Sequence, residues 1–187
     1  MGKIIVTEFV TLDGVMEAPG GENREFGGWA LDVDRGEEGD KFKHEETMSS
    51  EALLLGRVTY EGFAEAWPPR TGEFADKFNS MPKYVVSSTL KEPTWTNTTI
   101  LDGNVVEEVL ALREKIEGEI VVHGSRTLAQ SLLEHNLVDE LHLMVFPIIL
   151  GRGERLFGEM RSKIAAKLID SKIVGNGVVI LVYKLLG

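Results

Sequence analysis

The stretch from Ala52 to Phe63, ALLLGRVTYEGF, carries the pattern that decides the fold. Its first four residues are a continuous apolar run, which is typical of a strand buried on both faces of a sheet. Gly56 follows at once, and residues 58–66 then predict a helix that ends at Trp67-Pro68-Pro69. A buried strand, a glycine turn and a helix in this order indicate an α/β fold.

The same alternation continues on both sides of this stretch. Apolar and β-branched runs predict further strands at residues 3–11, 83–87, 119–122 and 138–145. Helical patterns predict helices at residues 36–50, 74–80, 105–116 and 126–133. Gly118 suits the C-cap of the third of these helices, and Ser125 suits the N-cap of the fourth. Residues 12–21, LDGVMEAPGG, predict a long loop.

The C-terminal end has a different pattern. Residues 167–174 and 178–185 are strand-like and are joined by Gly175-Asn176-Gly177, which is a strong hairpin signal. Together the elements predict a single α/β domain over residues 1–187. We expect a mostly parallel sheet covered by helices on both faces, a three-layer α-β-α sandwich, with an antiparallel hairpin at one side.

Composition excludes several function classes. The chain has 187 residues, a formal net charge of -10 and no cysteine. The negative charge argues against binding to nucleic acids or anionic membranes, and the missing thiols exclude disulfides and thiolate metal sites. His44, His135 and His142 lack metal-ligand spacing, so no metal is expected. No segment looks like a signal peptide or is long enough to span a bilayer, so we expect a cytoplasmic protein.

Three strand-to-helix junctions could bind a phosphate-bearing ligand. At the first, Gly56 allows close backbone approach, Arg57 offers a planar fork and Thr59 adds a hydroxyl at the helix start. The alternative is a capped surface helix with an exposed arginine. At the second, Ser87, Ser88 and Thr89 supply three hydroxyls, which can cap a helix or bind a phosphate.

The third junction is His123-Gly124-Ser125-Arg126. A glycine directly after a buried strand, before a helix that opens with Ser125 and Arg126, is another anion-binding arrangement. His123 could act as a general acid or a ligand, although a lone histidine at a strand end is more often packed in the core. Three such junctions at one sheet edge indicate a ligand with several phosphates.

Motifs along nearly the whole chain resemble the dihydrofolate-reductase-like superfamily. The likeness is greatest to the branch related to the reductase domain of bacterial riboflavin biosynthesis proteins. The matching segments are Thr11-Leu12-Asp13-Gly14, Leu54 to Phe63 with Trp67-Pro68, Pro82 to Leu90, Val122 to Ser125, Leu137 to Leu141, Pro147 to Gly153 and Leu156-Phe157.

The resemblance implies an NADPH-dependent enzyme that transfers hydride to a small heterocyclic substrate. The residues it implies at the cofactor are Val10, Gly56, Arg57, Val58, Thr59, Ser87, Ser88, Thr89, His123, Gly124, Ser125, Arg126 and Leu128. Asp13 and Asp40 are the candidate proton donors. Their alternative roles are a turn-stabilising aspartate at Asp13 and a surface residue at Asp40.

The expected reaction is that of a 5-amino-6-(5-phosphoribosylamino)uracil reductase, as in riboflavin biosynthesis, or of a paralogue. Without cysteine the chain cannot contain the zinc deaminase domain of the bifunctional riboflavin enzymes. The alternatives are a non-catalytic NADPH-binding module and a dihydrofolate or pteridine reductase. Because dimers of the resembling family pair through similar segments, we expect a homodimer formed by residues 141–150 and the hairpin.

Overall fold

A computed structural model describes residues 1–20 and 25–187. Gly21, the last residue of the predicted loop, lies outside the described residues. Among those described, eight strands form one sheet: β1 Lys3–Thr11, β2 Ser50–Gly56, β3 Lys83–Val86, β4 Thr98–Leu101, β5 Glu119–Val122, β6 Glu140–Phe146, β7 Ala165–Val174 and β8 Val178–Leu186.

The sheet has the order β4-β3-β2-β5-β1-β6-β8-β7. The six strands from β4 to β6 are parallel to their neighbours, as the buried apolar runs predict. The two C-terminal strands form the expected antiparallel hairpin, and β8 also pairs antiparallel with β6. The prediction of a mostly parallel sheet with a closing hairpin is therefore confirmed.

The helices lie on both faces of the sheet. They are α1 Gly36–Ser49, α2 Arg57–Ala66, α3 Glu73–Ser80, α4 Val105–Lys115 and α5 Arg126–Glu134, with a short 3-10 helix at Trp29–Leu31. Leu53 and Leu55 pack in a cluster with side chains of α2 and α3, whereas Leu54 packs with α4 and α5. Alternate residues of one apolar run thus bury opposite faces, which confirms the α-β-α layers.

Two details differ from the sequence prediction. Helix α4 ends at Lys115, and its C-cap is the extended residue Ile116 rather than Gly118. A side chain at Gly118 would instead collide with Glu51, because its Cβ would lie 2.4 Å from the Glu51 carboxyl. Strand β4 was not predicted, since four residues at the edge of the sheet give only a weak periodic signal.

None of the helices in the described ranges is long and apolar enough to cross a membrane.

Candidate functional site

The first and third predicted junctions are in direct contact. Since β2 and β5 are parallel neighbours, their carboxyl ends reach the same edge of the sheet. The Gly56 N–H donates to the Gly124 carbonyl at 3.1 Å. A Cβ at Gly56 would lie 2.2 Å from Ser125 Oγ, so only glycine permits this approach.

The chain segments that leave β2 and β5 at this edge go to opposite faces of the sheet. The chain leaving β2 forms α2 on one face of the sheet, whereas the chain leaving β5 forms α5 on the other. Ligands of open α/β sheets bind at such topological switch points. Both helices begin here without a side-chain cap, so their first N–H groups remain available to an anion.

Strands β1 and β5 separate beside Gly124. Their pairing ends at Val6 and Val122, and among the described strands residues 7–11 of β1 pair only with β6. Gly124 has a φ of 109°, and a Cβ there would lie 2.8 Å from Thr59 Oγ1 and 3.8 Å from Glu8 Oε1. We call this region, bounded by Glu8, Met16, Thr59 and Gly124, the Gly124 slot.

The second junction forms part of a neighbouring cleft of about 390 Å³, which we call the Ser87 cleft. Its wall includes Arg57, Ser87, Ser88, Thr89 and Asp102. Arg57 thus joins the first and second junctions, although in this structure its Nη1 lies 3.0 Å from Glu61 Oε2. Both partners of that pair are exposed, so exchange of Glu61 for a ligand phosphate costs little.

The serine-rich turn does not begin a helix. The Ser87 hydroxyl accepts hydrogen bonds from the backbone N–H of Thr89 at 3.2 Å and of Leu90 at 2.9 Å. Ser88 and Thr89 are exposed at the cleft. Of the two uses predicted for these hydroxyls, capping of a following helix is therefore wrong, and Ser87 instead closes a turn.

Four of the predicted cofactor residues lie around the slot rather than in its wall. Val10 and Leu128 are buried in the main apolar cluster, and Val58 is exposed in the first turn of α2. Arg126 Nη2 lies 3.4 Å from Glu154 Oε1, while the buried Arg126 Nε has no hydrogen-bond partner among the described residues.

His123 is packed among aromatic rings. Its ring centroid lies 5.5 Å from that of Phe78 and 6.0 Å from that of Phe63. Burial, reinforced by the positive charge of Lys43, lowers the pKa of His123 to about 3. The imidazole is therefore neutral at physiological pH, and the geometry favours the packing role over a general acid.

Asp13 holds two loops together. Its carboxylate accepts hydrogen bonds from the Thr11 hydroxyl at 2.6 Å and from the backbone N–H groups of Leu150 and Gly151 at 3.2 and 2.8 Å. The hydrogen bond from Thr11, followed by those from the backbone, lowers the pKa of Asp13 to about 2. Because the group is ionised at neutral pH, this geometry favours the turn-stabilising role over proton donation.

Asp40 lies on the outer side of α1. Its side chain is 66% exposed and pairs with Arg35 at 2.6 Å. Of the two roles left open by the sequence, the structure favours the surface residue. The inner side of α1 carries the polar residues Lys43, Glu46 and Thr47, which explains why its apolar stripe is thin.

These inner residues form a buried polar cluster with β1 and β6. Lys43 Nζ donates to Thr7 Oγ1 at 2.9 Å and pairs with Glu46. The second Glu46 oxygen lies 2.7 Å from His142 Nδ1. We call Thr7, Lys43, Glu46 and His142 the α1 cluster. It is satisfied internally, so it fixes α1 against the sheet.

Glu8 is the buried titratable residue at the slot that the sequence interpretation missed. The signal was present, because an acidic residue interrupts the apolar strand KIIVTEFVT. Charged residues are rarely buried without a partner, so such an interruption calls for an explanation. An isolated acidic residue carries no spacing pattern, so Glu8 forms no motif in the sequence.

Comparison with known proteins places this geometry in a family. The sequence pattern of the RibD C-terminal domain matches residues 2–180. Among curated proteins, the uncharacterized protein YyaP of Bacillus subtilis is 29% identical over 186 residues, which cover 97% of this chain and 94% of YyaP. These matches extend over nearly the whole length of the chain.

Solved structures agree with this assignment. A putative riboflavin biosynthesis protein from Shewanella sp. PV-4 is 25% identical, with a TM-score of 0.81 and coverage of 99% of both chains. Dihydrofolate reductase from Enterococcus faecalis, complexed with NADP(H) and RAB-propyl, is 17% identical, with a TM-score of 0.60 over 100% of this chain and 98% of that one. The latter shows a shared fold, and the resemblance predicted from the motifs is confirmed. The chain therefore belongs to the RibD C-terminal domain family.

Proposed function

We propose that this protein is an NADPH-dependent reductase of a small pyrimidine-like heterocycle, of the 5-amino-6-(5-phosphoribosylamino)uracil reductase type or a paralogue. The proposal rests on one observation. The junctions at Gly56 and Ser125 are in direct contact, and they lie between the Gly124 slot and the Ser87 cleft. A polar cleft beside two uncapped helix starts suits a multiply charged dinucleotide.

The residues present fit NADPH in three places. Arg57, with the exposed hydroxyls of Ser88 and Thr89, would hold a phosphate at the adenosine end. The N–H groups at the start of α2 and α5 would hold the pyrophosphate. Gly124 brings the backbone of the β5–α5 turn close to Thr59, because a Cβ there would lie 2.8 Å from Thr59 Oγ1, and the flat nicotinamide ring would lie against this backbone. When bound there, NADPH supplies the hydride, and the chain orients it and excludes water.

The substrate assignment favours a pyrimidine over a pterin. A carboxylate on the first long helix is the group by which the resembling dihydrofolate reductases hold a pterin, and its counterpart here would be Asp40. Asp40 is exposed and paired with Arg35, so this chain offers no such anchor from that position. The family match to the RibD C-terminal domain supports a riboflavin-type substrate instead. A cytoplasmic location stays a prediction.

The function is tested first by binding. NADPH is expected to raise the melting temperature, because a ligand that binds only the folded state stabilises it, and to do so more than NADH. Arg57→Ala is expected to weaken NADPH binding by roughly 1–3 kcal/mol, about 5- to 150-fold in Kd measured by calorimetry. Arg70→Ala, near the opposite end of α2, is the matched control and should leave Kd unchanged.

Two results would change the assignment. If millimolar NADPH leaves the melting temperature of the wild type unchanged, the cofactor proposal fails. If NADPH binds but is not consumed with any of a panel of flavin-precursor pyrimidines, pterins and quinones, the non-catalytic binding module is favoured. Consumption with a pterin alone would favour the pteridine reductase.

We also propose that two copies pair through β7. The dimer expected through residues 141–150 and the hairpin stays a prediction. Within these segments β6 is hydrogen-bonded on both sides, to β1 and β8, so edge pairing with a second copy would use β7. β7 is one of the two edge strands of the described sheet, and it exposes Leu168, Ile169 and Ile173. An exposed edge strand with apolar side chains is a natural surface for pairing with a second copy.

A further inference from the structure

Glu8 lies in an apolar part of β1. Strand alternation puts its side chain on the same face as Val6 and Val10, which belong to the cluster buried by α4 and α5. Its neighbour on β6 is Leu143, also in that cluster. Glu8 is 7% exposed, and its Oε1 has no hydrogen-bond partner within the described residues. These surroundings favour the neutral form of the carboxyl group.

The nearby charges do not reverse this preference. Lys43 on α1 favours ionisation of Glu8, whereas Glu46 on the same helix opposes it. Lys43 is itself paired with Glu46 inside the α1 cluster. His123 at the end of β5 is neutral, and Arg126 on α5 is engaged with Glu154. Burial therefore dominates and raises the pKa of Glu8 well above its ordinary value.

The carboxyl group is also next to the proposed ring site. Glu8 Oε1 lies 3.8 Å from the position that a Cβ of Gly124 would occupy, and Met16 Cε lies 3.7 Å from the same point. The Glu8 carboxyl group therefore lies beside the Gly124 turn, within reach of a ring bound against the backbone of that turn. Asp13 and Asp40, the acids predicted from the sequence, are respectively held by loop N–H groups and exposed on α1.

We propose that Glu8 is the acid of this site and gives a proton to the heterocycle as the hydride reaches it. The proposal rests on the NADPH-dependent reductase function. A hydride supplied by NADPH would form a new C–H bond at the carbon of a C=N bond of the substrate, with the π electron pair moving to the nitrogen. That nitrogen takes the proton as the Glu8 O–H bond breaks. The carboxylate regains a proton from water before the next cycle.

The protonation of Glu8 can be measured on the protein alone. Glu8→Gln keeps the shape and removes the acid. The infrared difference spectrum between wild type and Glu8→Gln at neutral pH is expected to show the carbonyl band of a protonated carboxylic acid. Glu51→Gln, at an exposed position on β2, is the matched control and should not show this band. A carboxylate signal at Glu8 would overturn the proposal.

Stability against pH gives a second readout without any ligand. The folded protein binds the Glu8 proton more tightly than the unfolded chain does. Wild type should therefore lose stability relative to Glu8→Gln as the pH rises above 4.5, the ordinary pKa of a glutamate, measured as the difference in urea midpoint. A difference that stays constant across this range would overturn the proposal even where the variant folds less well than expected.

Turnover tests the role itself. Glu8→Gln is expected to bind NADPH with a Kd within about twofold of wild type while kcat falls about 10²- to 10⁴-fold. The fall of the wild-type rate at alkaline pH should be absent from the residual activity of the variant. If the variant turns over as fast as wild type, Glu8 is not the acid although the reductase function stands. If wild type does not bind NADPH at all, the reductase function fails and this role of Glu8 fails with it.

Discussion

Replacing Gly56 with alanine is expected to destabilise the protein by about 1–3 kcal/mol through a steric collision. The new Cβ would lie 2.2 Å from Ser125 Oγ and 2.9 Å from both the Cβ and the backbone nitrogen of Ser125. The hydroxyl can rotate away, but the other two atoms move only with the backbone of the β5–α5 turn. The φ of Gly56 is -78°, which alanine adopts freely, so the change tests packing and not backbone conformation.

The assay is thermal unfolding followed by circular dichroism. For a protein of this size the expected loss corresponds to a melting temperature lower by about 2–12 °C. Gly62→Ala is the matched control, because it lies in the same region of the chain, inside α2, and has open space where its Cβ would point. It should stabilise by about 0.5–1 kcal/mol.

A double variant identifies the collision partner. Ser125→Gly removes two of the three atoms that the alanine Cβ would meet, so adding it to Gly56→Ala should restore part of the lost stability. If Gly56→Ala melts at or above the wild-type temperature, the two junctions are not in tight contact. The description of the site as two joined helix starts would then be refuted.

Two further predictions concern Asp13 and β7. The pKa of Asp13 in the folded protein is about 2, below its ordinary 3.8, so the ionised carboxylate stabilises the fold above about pH 4 and this stabilisation is lost as the pH falls towards 2. The difference in melting temperature between wild type and Asp13→Asn should therefore shrink from pH 4 to pH 2. A constant difference would contradict the prediction. Light scattering should give a dimer for wild type and a monomer for Ile173→Glu. The control Leu31→Glu replaces an exposed residue outside β7 and should stay a dimer. A monomeric wild type would exclude the dimer.

Much of the fold could be predicted from local pattern. The strand at residues 119–122 was predicted with the bounds that the structure shows, and the Gly175-Asn176-Gly177 hairpin is confirmed. The first is a short apolar run and the second a turn signal, and both depend on residues close together in the chain. The order of the strands in the sheet could not be predicted from local sequence pattern. That β5 inserts between β2 and β1 depends on packing between segments far apart in the chain.

The site was partly accessible from sequence. The glycine junctions carry their own signal, because a glycine between a strand and a helix permits close approach. The burial of Glu8 and the exposure of Asp40 depend instead on which face of β1 and α1 is covered. Sequence spacing alone cannot supply that information when a helix, like α1, has polar residues on both its inner and outer sides.

The central position of β1 has a consequence for synthesis on the ribosome. Its register partners include Ile120 for Ile4 and Leu141 for Val6, so the first strand made must wait for more than a hundred further residues. Until then an apolar segment with unpaired backbone groups stays available to other chains. Contacts this distant in sequence slow folding and prolong exposure to aggregation. β1 is therefore the strand of the described sheet that waits longest for a partner while this chain is made.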